Sequence, residues 1–330
     1  MSDIVVSSRV RLARNYEDLP FLARMTAEQS EQCVQRTLDA LRTLPQPYTF
    51  LSLRGMEENE KKALMEAHMI SPDLMEHAET GAVLIRGDEK ISIMMNEEDH
   101  LRIQGISAGD NLTESAENAF AIDDVLQTQL SFAFDKQWGY LTACPTNTGT
   151  GMRASVMLHL PMLTLLKQMG KVNQLAAKLG LTIRGIYGEG SEAQGNLYQL
   201  SNQVTLGRTE KEIMDAVSVT ARQIAEMERV FRQKAMDKDM VAFEDSLFRS
   251  WGLLCNARRM SIKEFMAHWS NLRMGAALEK LPVSLDLCDR LLTQAQPAHV
   301  QKSLGAVLSD REAEARRSAI IREAINGGTA

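Results

Sequence analysis

Cysteine is scarce and scattered. The chain has 330 residues and four cysteines, Cys33, Cys144, Cys255 and Cys288. Their wide spacing excludes a CxxC metal site and gives little support to a disulfide framework. No run of about 18 apolar residues occurs, so no transmembrane helix is expected. The first residues, MSDIVVSSRVRLARN, lack the charged-then-apolar layout of a signal peptide. Positive charge is not in excess either: 37 Lys and Arg stand against 43 Asp and Glu, a net charge of −6. Neither direct nucleic-acid binding nor membrane binding is therefore expected. A reduced, cytoplasmic setting fits these absences. Missing motifs narrow the chemistry further. There is no Walker lysine loop, GxGxxG, HExxH or GxSxG, and the six histidines show no metal-ligand spacing. No metal held by protein ligands is expected.

What is present suffices for a sizeable core, since 44% of the residues are hydrophobic. The 19 methionines read as core filler. Residues 4–10 alternate as a strand that puts Arg9 and Arg11 on one face. Thr26 with Gln29 makes a capping box for a helix carrying Val34, Leu38 and Leu41, with Cys33 in the core. Strands are expected over 48–53, 82–85 and 91–95, and a helix over 57–68 that leaves His68 at its end. The acidic stretch Asn96 to Arg102 follows. Glu98 and Arg102 would share a face there if the segment turned helical. A long helix is expected over 111–134, then a strand over 138–144 that ends at Cys144. After the loop, Arg153 stands before an apolar run that reads as a helix from about Ser155. Strand, loop and cation at a helix start would make an anion site. Strands over 181–187 and 196–206 flank a glycine-rich loop. Beyond Gly207 the pattern is helical. Thr209 with Glu212 and Ser261 with Glu264 read as capping boxes, and residues 310–325 as a charged helix. The chain therefore divides into a sheet-rich part, 1–207, and a helical part, 208–330, packed on it and not independent.

Arg9, Arg11, Arg102, Arg153 and Arg184 all lie in or beside turn-forming segments, as do Glu98, Glu189 and Cys144. Guanidinium forks pair with phosphate oxygens and stay charged, so converging arginines suit a polyphosphate. Phosphoryl transfer needs mainly positioning and charge neutralisation. Two carboxylates and a thiol beside such a cage suit a cationic acceptor: they would orient a guanidinium and accept its proton.

Four segments carry a resemblance: SSRVRLARN (7–15), NEEDHLRIQ (96–104), CPTNTGTGMRASVMLHLP (144–161) and RGIYGEGSEAQGNLYQLSNQVTLG (184–207). With these the chain resembles the phosphagen (guanidino) kinase superfamily, and within it the bacterial protein-arginine kinases. The resemblance implies an α+β fold, a curved antiparallel sheet flanked by helices with a mostly helical C-terminal portion. It implies transfer of the ATP γ-phosphoryl group to arginine side chains of proteins, with Mg²⁺ bound mainly through the nucleotide phosphates. By matching positions, Glu98, Glu189 and Cys144 would act on the guanidinium. The nucleotide would be held by Ser7, Ser8, Arg9, Val10, Arg11, His68, Arg102 and Arg153. Ala154, Ser155, Val156, Met157, Arg184, Gly185, Ile186, Tyr187, Gly188 and Glu189 would complete its site. Met157 replaces a histidine of many relatives and would offer a backbone contact.

The resemblance also implies partners: a zinc-binding activator, a heat-shock repressor as substrate, a Clp-type protease that reads the mark, and a second copy of the chain. A C-terminal Arg-Asp-x-x-Arg-Ala motif that binds phosphoarginine aligns with Ala313–Ser318, where only Arg317 matches strictly. That pocket is not expected to work here. The chain starts almost at the first arginine pair, without the small helical domain of free-guanidino kinases. That favours an open site for a protein side chain. The alternatives are a kinase for free arginine or another small guanidine, and a non-catalytic phosphoarginine-binding or partner-binding adaptor.

Overall fold

The computed structural model describes residues 1–42, 44–186 and 193–327. Strands β1 (Val5–Arg14), β2 (Tyr48–Ser52), β3 (Ala82–Arg86), β4 (Ile91–Met95) and β5 (Leu101–Ala108) come from the first third of the chain. Strands β6 (Phe134–Asp135), β7 (Gly139–Tyr140), β8 (Met152–His159), β9 (Leu181–Gly185) and β10 (Leu197–Asn202) follow. Eight of them form one sheet in the order β2-β3-β4-β5-β1-β8-β10-β9, while β6 and β7 pair separately. Every pairing is antiparallel. The expected mixed fold, an antiparallel sheet with flanking helices and a helical C-terminal region, is what the chain adopts.

Alternation along β1 decides which face is core. Ser8, Val10 and Leu12 are fully buried, whereas Ser7, Arg9 and Arg11 are only half-buried on the other side. The core face packs against the helix Leu112–Gln127 through Ala116, Ala119, Ile122 and Leu126. Close approach there depends on Gly105 of β5, because a Cβ at this position would collide with the Ser115 carbonyl oxygen. Arg14, at the end of β1, is buried and paired with Asp123 of that helix at 2.7 Å. The helix Glu210–Lys238 adds Ile213, Val217, Ala221 and Ile224 to the same core. The capping boxes Thr26–Gln29 and Thr209–Glu212 both form. Ser261 caps its helix by accepting the Glu264 N–H. Cys33 is buried in the core, as expected.

The C-terminal helices Met240–Asn256, Ile262–Ala277, Leu285–Gln294 and Asp310–Gly327 share an apolar core with Trp269, and the short helix Pro297–Lys302 packs against the last two of them. The Trp269 indole donates to the Cys288 carbonyl at 2.7 Å. This second core also contains Val6, Met157 and Leu197 of the sheet-rich part. Among the described residues no helix is long and apolar enough to cross a membrane.

Several local expectations are corrected. The run from Ser155 is not helical. It belongs to β8, whose residues pair with β1 on one side and β10 on the other. Both its faces are largely buried, so its sequence reads as a continuous apolar run that periodicity cannot assign. Residues 101–108 form a strand, so Glu98 and Arg102 meet across a tight turn and not along a helix. The helix expected over 111–134 stops at Gln127, and the strand expected over 138–144 is only Gly139–Tyr140. Cys144 therefore sits in the following loop.

Candidate active site

Strand register brings five arginines to one face of the sheet. Arg11 lies opposite Gln104 on β5 and Arg153 on β8, and Arg9 lies opposite Ile106 and Ser155. Arg102 is two residues from Gln104 on β5. Arg184 on β9 lies opposite Gln199 of β10, which itself lies opposite Met157. Because strand side chains alternate, Arg9, Arg11, Arg102, Arg153 and Arg184 share this surface. Ser7, Ser155 and Met157 share it as well. Ser8, Val10, Ala154 and Val156 turn the other way and are buried, so their side chains do not reach it. Gly185 ends β9 beside the site, and Ile186 lines a cavity of about 600 Å³ with Arg9, Arg11 and His68. Tyr187, Gly188 and Glu189 lie outside the described residues.

The arginines are held in a costly state. Burial, then the neighbouring Arg9, Arg102 and Arg153, push the Arg11 pKa well below its usual range. Burial, then Arg184 and Arg102, lower Arg153 as well. The Nε atoms of Arg11 and Arg153 are buried with no hydrogen-bond partner among the described residues. Half-buried cations with buried donors left over fit an anion rich in oxygen acceptors, such as a triphosphate. His68 stands beside them with a positive φ of 61°. Gln104 fixes the backbone there by donating to the His68 carbonyl at 2.8 Å. Burial, then Arg9 and Arg11, lower the His68 pKa to about 4. His68 therefore faces the cavity as a neutral imidazole at neutral pH.

A smaller recess of about 240 Å³ joins Glu98, Cys144 and Asn147 to Arg11, Arg102 and Arg153. Arg102 donates to Glu97 through Nη1 and to Glu98 through Nη2, the latter at 3.3 Å. Glu97 is fully buried and also accepts from Ser71 Oγ and from the Glu98 N–H. It thus shapes the turn that presents Glu98. Burial raises the Glu98 pKa; Arg102 opposes this, and Asp99, Glu97 and Asp73 add to it. Asp99 accepts from Asn15 Nδ2 and from the Ala143 N–H, each at 2.6 Å, which ties the Glu98 turn to the Cys144 loop. Cys144 Sγ lies 3.0 Å from Thr146 Oγ1. Sequence reasoning singled out Glu98, Arg102 and Cys144 but missed the supporting roles of Glu97, Asp99 and Gln104. The acidic run 97–99 was a signal for the first two. Gln104 follows Arg102 at strand spacing, a signal for the third.

A cationic sheet face opening on a carboxylate–thiol recess can hold a polyphosphate on one side and a cationic group on the other. Comparison with known proteins places the chain in a family. The profile of the ATP:guanido phosphotransferase C-terminal catalytic domain matches residues 29–231, and that of the protein-arginine kinase McsB C-terminal domain matches residues 240–329. The chain belongs to the ATP:guanido phosphotransferase family. Within that family it is similar to proteins named protein-arginine kinase. The one from Caldanaerobacter subterraneus subsp. tengcongensis is 44% identical over 98% of this chain and 97% of its own length. The one from Brevibacillus brevis is 45% identical over 98% and 92%. Among solved structures, the duplicated taurocyamine kinase from Schistosoma mansoni with bound transition-state-analogue components is 28% identical. It has a TM-score of 0.64 and matches over 74% of this chain and 36% of that one. Lombricine kinase, at 24% identity and a TM-score of 0.61 over 71% and 68%, shares the fold.

Proposed function

We propose that this protein transfers the γ-phosphoryl group of ATP to the guanidinium of arginine side chains in proteins. The observation that carries the reading is the register that sets Arg9, Arg11, Arg102, Arg153 and Arg184 on one face beside Glu98 and Cys144. The arginines pair with phosphate oxygens and hold the γ-phosphorus in line with the recess. Mg²⁺, carried mainly on the nucleotide phosphates, supplies further charge neutralisation. Glu98 accepts hydrogen bonds from the incoming guanidinium and takes the proton of the attacking nitrogen. The N–P bond forms as the bond from phosphorus to the ADP oxygen breaks, and ADP keeps that electron pair. Cys144 assists in positioning the acceptor. Glu189 is assigned by resemblance as the second orienting carboxylate.

The reading extends to partners and setting: a zinc-binding activator, a heat-shock repressor as substrate, a Clp-type protease, a homodimer and a cytoplasmic location. Residues 1–207 and 208–330 act as one unit, a reading supported by the apolar cluster that Val6, Met157 and Leu197 share with the C-terminal helices.

The test is mass spectrometry, under conditions that preserve N–P bonds, of an unfolded model protein incubated with this chain and MgATP. Phosphoarginine is expected, and Glu98→Ala should lower its rate about a hundredfold or more while MgATP still binds. Unchanged turnover in that variant would remove Glu98 from the chemistry. Efficient turnover of free arginine alone would overturn the protein acceptor.

A further inference from the structure

The cavity that holds His68 is not made by the sheet alone. Ile262, Gln296 and Pro297 of the C-terminal helices line it together with Arg9, Arg11 and Arg102. The strand register gives it a direction. Starting from Ala13 opposite Arg102, successive rows pass through Arg11 and Gln104, then Arg9 and Ile106, and reach Ser7 opposite Met157. The Glu98–Cys144 recess contains Ala13 and Arg102, so it lies at the first end. Met157 lies at the other end, in the apolar cluster with Phe265 and Trp269. A nucleotide whose terminal phosphate meets Glu98 and Cys144 therefore extends its nucleoside toward Met157 and the C-terminal helices. The lining there is largely apolar, from Met157, Ile186, Ile262 and Pro297 with Gln194 and Gln199 beside them, the kind of surface against which a flat base is buried. Gln296 is buried, and its Nε2 donates to the Leu292 carbonyl at 2.9 Å. Its amide oxygen is then the atom left to accept from an exocyclic amine.

We propose that the C-terminal helices complete the nucleotide site. Ile262, Gln296 and Pro297 form its nucleoside wall, and Glu66 and Arg317 are positioning residues that hold this wall in place. The inference rests on reading the arginine face as the triphosphate site. Glu66 ends the helix Glu58–Glu66, two residues before His68. Its carboxylate accepts the N–H groups of Ala298 at 2.9 Å and His299 at 3.1 Å, and His299 Nδ1 lies 2.8 Å from the same group. Asn59 adds a bond to the Ala298 carbonyl at 3.3 Å. Pro297 is thus fastened to the helix that leads into His68. Arg317, buried on the last helix, donates to the Ala295 carbonyl at 2.7 Å and to the Met260 carbonyl at 3.0 Å. These carbonyls stand one residue before Gln296 and two before Ile262, so one guanidinium sets both segments of the wall. Charge-assisted bonds of this kind are the stronger class of hydrogen bond.

Isothermal titration with MgATP and with inorganic tripolyphosphate separates wall from cage, because tripolyphosphate has no nucleoside. Ile262→Ala and Gln296→Ala are each expected to weaken MgATP about tenfold while tripolyphosphate stays within about twofold. Glu66→Ala should behave in the same way, and Glu66→Gln, which keeps an acceptor, should recover part of the loss. Retained tripolyphosphate binding reports a folded cage in every variant. Arg11→Ala should weaken both ligands. If it does, and the wall variants bind MgATP normally or lose both ligands equally, the proposed wall is overturned and the triphosphate reading stands. If Arg11→Ala binds both ligands as the parent does, the triphosphate reading itself fails.

Discussion

Glu98 shows how one side chain can be placed for chemistry at some cost to the fold. Burial raises its pKa above the ordinary 4.5, against the pull of Arg102. A raised carboxylate is a better proton acceptor near neutrality than an ordinary one. The same shift has a stability sign. The folded state binds the Glu98 proton more tightly than the unfolded chain, so the group stabilises the fold at low pH. That contribution is lost as pH rises through the folded pKa. Two outcomes are expected. The acid limb of kcat/KM, which reports the free enzyme, should fall at a pH above an ordinary glutamate's pKa, and a limb at or below that value would count against Glu98 as the base. Glu98→Gln should abolish most activity yet leave the thermal midpoint at pH 7.5 unchanged or slightly higher, because Arg102 keeps its partner Glu97. A fall of several degrees would show that Glu98 serves the fold.

Single elements decide where the arginines point, and β8 does most. The sequence discloses that Arg9 and Arg11 share a strand face, since alternation is local. Local alternation does not disclose that Arg153 joins them, which only the family resemblance implies. That depends on β8 inserting between β1 and β10, a pairing between residues far apart in sequence. The apolar filling of both β8 faces also disguised its period. The helices were easier to read, because the capping boxes at Thr26 and Thr209 are local signals. The Glu98 recess was legible only in part: adjacent acids do not reveal that Glu97 is the buried partner and Glu98 the presented one. Glycine makes the element-scale test. Gly105→Ala should cost about 3 kcal/mol, since the helix Leu112–Gln127 must back away from β5. Gly252 lies inside a helix with open space around it, so Gly252→Ala should stabilise by up to about 1 kcal/mol. Urea denaturation of the two variants checks both signs. Equal and small effects would show that the β5–helix contact is looser than described.

At the scale of the whole molecule, sheet, arginine face and C-terminal helices are joined by buried groups that resist protonation. Burial lowers the pKa of His68 to about 4, with Arg9 and Arg11 adding to it. Burial, then Arg273 and Arg232, hold His159 well below its ordinary value, and burial lowers His100. His100 links β1 to the Glu98 turn by accepting the Tyr16 N–H, and His159 Nε2 meets Ser270 of a C-terminal helix at 2.8 Å. A histidine whose folded pKa lies below its unfolded 6.5 contributes stability above pH 6.5 that is lost as pH falls toward the folded pKa. Glu98 and Asp289 have raised pKa values, the latter through burial opposed by Arg273, and they offset part of this loss. A variant at His68 isolates one contribution from the rest. From a shift to about 4, His68 accounts for at most ~3 kcal/mol, less any residual hydration. Urea stability of the parent should therefore fall between pH 7 and pH 5, and His68→Gln should fall less steeply, by up to about one proton in slope. Parallel pH profiles for parent and variant would mean that His68 already takes a proton in the folded protein, with Arg9 and Arg11 no barrier to it.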